Sequence, residues 1–158
     1  MARSVVLVEI NGVTIGPRAD LAGTDLVGVN LTGANLCEAN LVGANLAAHV
    51  MDGEGPGRLI RNLKNTNLAG ANLSGANLNR GYLQDANLQD ANLSKANLES
   101  AILRGASLRG ANLRGANLRG ANLTGANLLR CVLTGSVADA ETVWPEGFDP
   151  EAAGVALR

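Results

Sequence analysis

The residues with the most obvious chemical potential are four arginines at five-residue intervals, Arg104, Arg109, Arg114 and Arg119. Guanidinium groups in a regular row can hold a phosphate backbone, with affinity driven by counterion release. A lone histidine, His49, lies near Asp52 and Glu54, which would pass for an acid/base pair. Two cysteines, Cys37 and Cys131, are the only thiols. None of these groups has the company its chemistry requires. His49 has no evident orienting partner, and the surrounding Gly53, Gly55, Pro56 and Gly57 offer Asp52 and Glu54 no rigid placement. The cysteines have neither metal-ligand spacing nor a disulfide framework. There is no phosphate loop and no nucleophile motif. These residues predict no enzyme, no metal and no cofactor.

Composition narrows the classes further. The chain has 158 residues, a one-domain length. Hydrophobic residues make up 46% but aromatic ones only 2%, so the core must be aliphatic. A net charge of -1 gives no overall field toward nucleic acid or membrane. The N-terminal run Val5 to Val8 is too short for a signal-peptide core, and nothing approaches the apolar length of a membrane span. With two unframed cysteines, a cytoplasmic location is expected.

The elements that must position these residues follow from one period. Leucine occupies 21 equivalent positions, every fifth residue from Leu21 to Leu46 and again from Leu63 to Leu133. Two residues before each stands a small side chain, nearly always alanine; the exceptions are Thr24, Val29, Thr66, Gly81, Cys131 and the misfit Arg61. Five helical steps advance about 500°, so helical leucines would spiral round the cylinder. In a strand an odd spacing throws successive leucines onto opposite faces. A leucine-rich horseshoe needs a longer, uneven motif. A coil that turns a corner every five residues satisfies the pattern. Four sides make a turn of about 20 residues, stacked at roughly 4.8 Å, with each leucine and its small neighbour inside. The residue two after each leucine is glycine in 12 of 21 repeats and Asn65, Asp85 or Asp90 in three more, as a type II turn requires. Glu38, Arg80, Lys95 and Arg130 at the same position predict that positive φ is not obligatory at every corner.

Runs such as "ANLSGANLNR" and "ANLRGANLRGANLTGANL" resemble the pentapeptide-repeat family, whose consensus is Ala-Asp/Asn-Leu-x-x. The resemblance covers about Leu21 to Leu133. It implies an all-β fold, a right-handed quadrilateral β-helix with terminal caps. The expected organisation is an N-terminal β-hairpin cap over 1–18, a repeat helix over 19–135 and a C-terminal cap over 136–158. A solenoid must blunt its ends. "VVLVEINGVTI" supplies strand formers and an Asn-Gly turn, and Trp144 and Phe148 would lie over the last leucines. The rival use for those two rings is self-association through an end. The spacing of 17 between Leu46 and Leu63 predicts an external loop at 47–62 that leaves at a corner. Arg61 would point inward, so secure coiling is expected from Thr66.

Residues 20 apart should be stacked neighbours. Tyr82 and Ile102 both replace the usual asparagine, so two outward apolar side chains should touch, either beneath the loop or as a partner-binding patch. The four arginines fall on four different sides and form a belt, which argues against nucleic acid; no aromatic residues interleave them. Glu99 should lie beneath Arg119 as an exposed pair of small value. The asparagines are expected to hydrogen-bond along the stack. The candidate partner surface is therefore Tyr82, Ile102, Arg104, Arg109, Arg114, Arg119, Trp144 and Phe148, and the expected function is a scaffold that binds another protein.

The alternative comes from the resemblance. Some members of that family resemble a DNA duplex in size and negative charge, bind gyrase in its place and confer quinolone resistance. They carry phenylalanine at the central inward position and acidic faces. Here that position is leucine throughout, and Leu63 to Leu133 holds eight basic residues against three acidic. A projecting loop, as some of those proteins use, is the feature this chain shares.

The inward assignment has a direct test. Leu113→Asp is expected to abolish folding, because a buried leucine contributes roughly 1.5–3 kcal/mol and an unpaired carboxylate costs more. Arg114→Ser is expected to leave thermal unfolding nearly unchanged. Equal melting temperatures for the two variants would contradict the assignment.

Overall fold

The computed structural model describes residues 8–10, 13–27, 29–31, 34–47 and 63–158. Two hydrogen bonds per repeat generate its architecture. The first closes a corner: the alanine N–H donates back to the preceding leucine carbonyl, as from Ala71 to Leu68 at 3.0 Å. The second joins coils: the leucine N–H donates to the residue 19 positions on, as from Leu68 to the Asn87 carbonyl at 2.7 Å. Parallel bridges consequently pair residue n with n+20, from Asn67↔Asn87 to Asn117↔Val137. Each side pairs for one residue before the chain turns, so the repeats form isolated bridges and not long strands. The chain makes four corners per 20-residue turn.

The leucines and their small neighbours fill the interior. Leu68, Leu88 and Leu108 on one side, and Leu73, Leu93 and Leu113 on the next, are all 0% exposed. Alanine fits the remaining space, and where a hydroxyl replaces it the polarity is satisfied. Thr24 and Ser136 donate to the leucine carbonyl three residues back, at 2.7 Å each, and Thr66 donates to Leu31 at 2.8 Å.

One expectation is overturned at the corners. Glu38, Arg80, Lys95 and Arg130 have φ of 56–61°, and every described corner residue from Gly23 to Gly135 is likewise at positive φ. The conformation is obligatory there because the corner N–H also donates to the next coil, as from Lys95 to the Arg114 carbonyl at 3.0 Å. Left-handed backbone costs a non-glycine residue about 1–2 kcal/mol. Abandoning it would forfeit that bond and the direction of the following side.

The N-terminal hairpin consists of β1 (Val8–Ile10) and β2 (Val13–Ile15), antiparallel with Ile10 opposite Val13; Asn11 and Gly12 lie outside the described residues. Ile15 is 2% exposed against the core. Repeat-type turning already begins before Leu21, where the Ala19 N–H donates to Gly16 O at 3.2 Å and Arg18 has φ of 59°. Residues 48–62, including His49, Asp52, Glu54 and Arg61, lie outside the described residues. On either side the stack keeps its register: Asn35 pairs with Asn67, Asn40 with Asn72 and Asn45 with Asn77, a separation of 32. The ladder is in place at Leu63, three residues before the expected Thr66, since its N–H donates to the Tyr82 carbonyl at 3.2 Å.

The C-terminal end departs from the period by one residue. Val143 pairs with Asn122, a separation of 21, which puts Thr142, Val143 and Trp144 in the small, asparagine and leucine positions of a further repeat. Asp139 takes up the extra residue. Its carboxylate accepts from the N–H groups of Gly120 (2.9 Å) and Glu141 (3.1 Å) and from the Thr142 hydroxyl (3.0 Å), which also reaches the Leu118 carbonyl at 2.9 Å. Just before Asp139, β3 (Val137–Ala138) pairs in parallel with β4 (Ala156–Leu157).

The Gly120 N–H above all, assisted by the other donors, holds the Asp139 carboxyl below the usual range. A depressed folded value means a contribution present above the unfolded value and lost as pH falls through the folded one. The C-terminal segment is therefore expected to loosen on acidification, read by Trp144 fluorescence. Asp139→Asn should flatten that acid transition; an identical profile in the variant would contradict the clasp.

Candidate functional site

With the interior filled, the outward positions are what remains for recognition. Much of the asparagine row is already engaged. Asn92 donates through Nδ2 to Asn72 Oδ1 at 3.1 Å, and Asn112 to Asn92 at 3.3 Å, while each Oδ1 also accepts the backbone N–H two residues on. Parallel ladders run on other sides, and two end on carboxylates, Asn40 to Asp20 at 2.9 Å and Asn45 to Asp25 at 3.2 Å. The asparagines hold register, as the sequence implies. The freer side chains are the two residues that follow each leucine.

Tyr82 and Ile102 are brought together as a parallel bridge, both half-buried. The Tyr82 hydroxyl donates to Gln84 Oε1 at 2.7 Å, so the ring lies along the side with its polar tip engaged. Whether the 47–62 segment covers the pair falls outside the described residues.

The arginines form a belt on a single coil. The carbonyls of Arg104, Arg109, Arg114 and Arg119 accept from Asp85, Asp90, Lys95 and Ser100, the same ladder step on four successive sides. Arg104, Arg109 and Arg114 are exposed and Arg119 is half-buried. The fold does not gather them, so they cannot jointly follow a linear phosphate backbone. The expected Glu99–Arg119 pair also gives way. Glu99 Oε2 accepts from Asn117 Nδ2 at 3.1 Å, and Arg119 Nη1 donates to Asn117 Oδ1 at 3.4 Å. The asparagine between them is nearer to both and satisfies each with one end of its amide. Among the described residues, the ion pair is Arg18–Glu38, at 2.7 Å and exposed.

Trp144 and Phe148 stack with ring centroids 5.2 Å apart and pack, half-buried, on the core. Sequence reasoning missed the Asp139–Thr142 clasp; its signal is the spacing break after Leu133. It also missed Leu129, 59% exposed on the last coil.

The model of the family "Pentapeptide repeats" matches in eight copies, over residues 18–47, 62–93, 82–120 and 111–138. The chain belongs to the pentapeptide-repeat family. Among solved structures, this pentapeptide-repeat protein is 38% identical to Rfr23 of the cyanobacterium Cyanothece 51142, over 76% of this chain and 90% of that one, with a TM-score of 0.36. It is 32% identical to HetL of Nostoc sp. strain PCC 7120, a protein involved in heterocyst differentiation regulation, with a TM-score of 0.44. That match covers 75% of this chain but only 53% of HetL. QnrB1, a plasmid-mediated fluoroquinolone resistance protein, is 17% identical over 88% of this chain and 89% of its own, with a TM-score of 0.41. No curated protein matches the chain in sequence.

The two thiols should differ in reactivity. Cys131 occupies a small inward position, where burial pushes its thiol up to about 12. Cys37 lies on an outward position, and both side chains are partly exposed. At pH 8 a disulfide reagent such as DTNB is expected to modify Cys37 first and Cys131 more slowly, because less of the Cys131 thiol is ionised. Modification of both at equal rates in the native protein would contradict the inward placement.

Proposed function

We propose that this pentapeptide-repeat protein is a non-enzymatic scaffold that binds another protein, its chain wound as a right-handed quadrilateral β-helix with capped ends. The observation that carries the reading is the closed interior. From Leu63 to Leu123 every leucine of the stack is 0% exposed, so the column leaves no room for a substrate. What the fold offers is rigid, regular outer sides, which suits recognition of a macromolecular surface. The outward Tyr82–Ile102 pair and the exposed arginines are the groups we assign to contact, within the cytoplasm.

Gyrase is not the partner this surface favours. The belt arginines face four ways and the longer repeat block is basic, the opposite of a duplex-like acidic face. Crosslinking of the tagged chain in its native host is expected to yield a protein partner whose crosslinks map to one side, through Lys64 or Lys95. Purified protein is expected neither to inhibit gyrase supercoiling nor to protect it from a fluoroquinolone. Protection would replace this reading with topoisomerase modulation; a small-molecule turnover by the pure protein would end it.

A further inference from the structure

The last coil is finished unevenly. On the side that starts at Leu123, that residue's N–H donates to the Val143 carbonyl at 2.7 Å. Further round, the Gly135 N–H donates to Gly154 O at 3.0 Å, and β4 lies on β3. Between these points the N–H groups of Gly125, Leu128, Arg130 and Leu133 have no hydrogen-bond partner among the described residues. The tail explains the gap. Pro145 and Pro150 bring no donors, and turns close from Phe148 N–H to Pro145 O (3.1 Å), Gly154 N–H to Glu151 O (2.9 Å) and Val155 N–H to Pro150 O (3.0 Å). The chain crosses this side without laying a strand on it.

Three consequences coincide there. Leu128 is half-buried, whereas Leu68, Leu88 and Leu108 beneath it are 0% exposed. Leu129 is 59% exposed beside it. Arg109, one coil below Leu129, and Arg130, next in the chain, are both exposed and make no ion pair among the described residues. An open edge with apolar side chains is a template for strand addition.

The coil below defines the occupant. Leu108 N–H reaches the Asn127 carbonyl and Gly110 N–H the Leu129 carbonyl, each at 2.9 Å. A strand set one layer higher would receive Leu128 and Arg130 N–H in the same way. We propose that this edge takes an extended segment of a partner protein as one further strand, with an apolar residue over Leu128 and a carboxylate toward Arg109 and Arg130. The proposal rests on the scaffold reading above and gives it a location. A second copy fits less well, because its matching end would bring the same two arginines against these.

The test uses the full chain, nitrogen-15 labelled, with a synthetic decapeptide of two Ala-Asn-Leu-Thr-Glu repeats as probe. Saturable amide shifts confined to Gly125 through Leu133 are expected. Binding should weaken roughly tenfold for a Glu→Lys version of the peptide and for the Arg130→Glu protein. Arg130→Glu is expected to fold, since Glu38 holds the same corner position at φ 59°. No shift at millimolar peptide, or equal shifts for both peptides, would overturn the proposal. Concentration-dependent dimers that protect the same amides would assign the edge to a second copy and overturn it too. A partner protein that perturbs only the flat sides would sink this inference and leave the scaffold reading standing.

Discussion

The leucine N–H that donates to a carbonyl 19 residues on is the bond from which the rest of this molecule follows. It is made by Leu21 and Leu26 and by every leucine of the stack from Leu63 through Leu118, at 2.7–3.2 Å; Leu36, Leu41 and Leu46 make its equivalent 31 residues on, and Leu123 makes it 20 residues on. Each one fixes the height of a coil above its predecessor and turns the adjoining leucine inward. Because the bond recurs at one step per side, a change in side length would misalign every coil above it. The backbone therefore tolerates strained φ at Arg80, Lys95 or Arg130 in order to keep five residues per side. Packing and hydrogen bonding reinforce the same geometry, since a leucine out of register would lose both its partner carbonyl and its neighbours in the column.

Outside the column, polar side chains divide into two populations. Asparagines one residue before each leucine bind to one another and to their own backbone, and so stiffen the sides. The following two positions are free to vary, and there the chain differs from coil to coil: Gln84 and Gln89 on one, Arg104 to Arg119 on the next, Thr124 and Leu129 on the last. Any specificity must be written in those positions, on a framework whose spacing they do not disturb. The uneven C-terminal end belongs to the same logic, because a side without a covering strand is the place where the regular bonding pattern remains open.

Much of this was legible in the sequence because the constraint is periodic. The interval between leucines gives the corner, the stacking partner and the inward set, and the pairing of Tyr82 with Ile102 follows by adding 20. Features that depend on competition between side chains were not legible. Arg119 and Glu99 stand one coil apart as expected, yet Asn117 intercepts both. The φ of Glu38 or Arg80 could not be read from residue type, because ladder bonding outweighs a preference of about 1–2 kcal/mol. The Asp139 clasp lies where the period fails, and there a reading based on period has nothing to count. Side chains alone also do not reveal which backbone donors the tail leaves open.

The join between Asn45 and Asn77 carries a consequence for how such a chain can diversify. Twelve more residues separate these partners than the 20 between Asn77 and Asn97, yet both pairs meet at the same rung spacing. Lengthening a closed segment from 20 to 32 residues costs only about 0.4 kcal/mol in closure entropy, because the penalty grows logarithmically. A join of this kind acts as a splice point: the extra sequence between Asn45 and Asn77 leaves the pairing of the layers on either side unchanged. Evolution can thus edit one turn of the coil as an independent cassette, while the rest of the spiral is inherited unchanged.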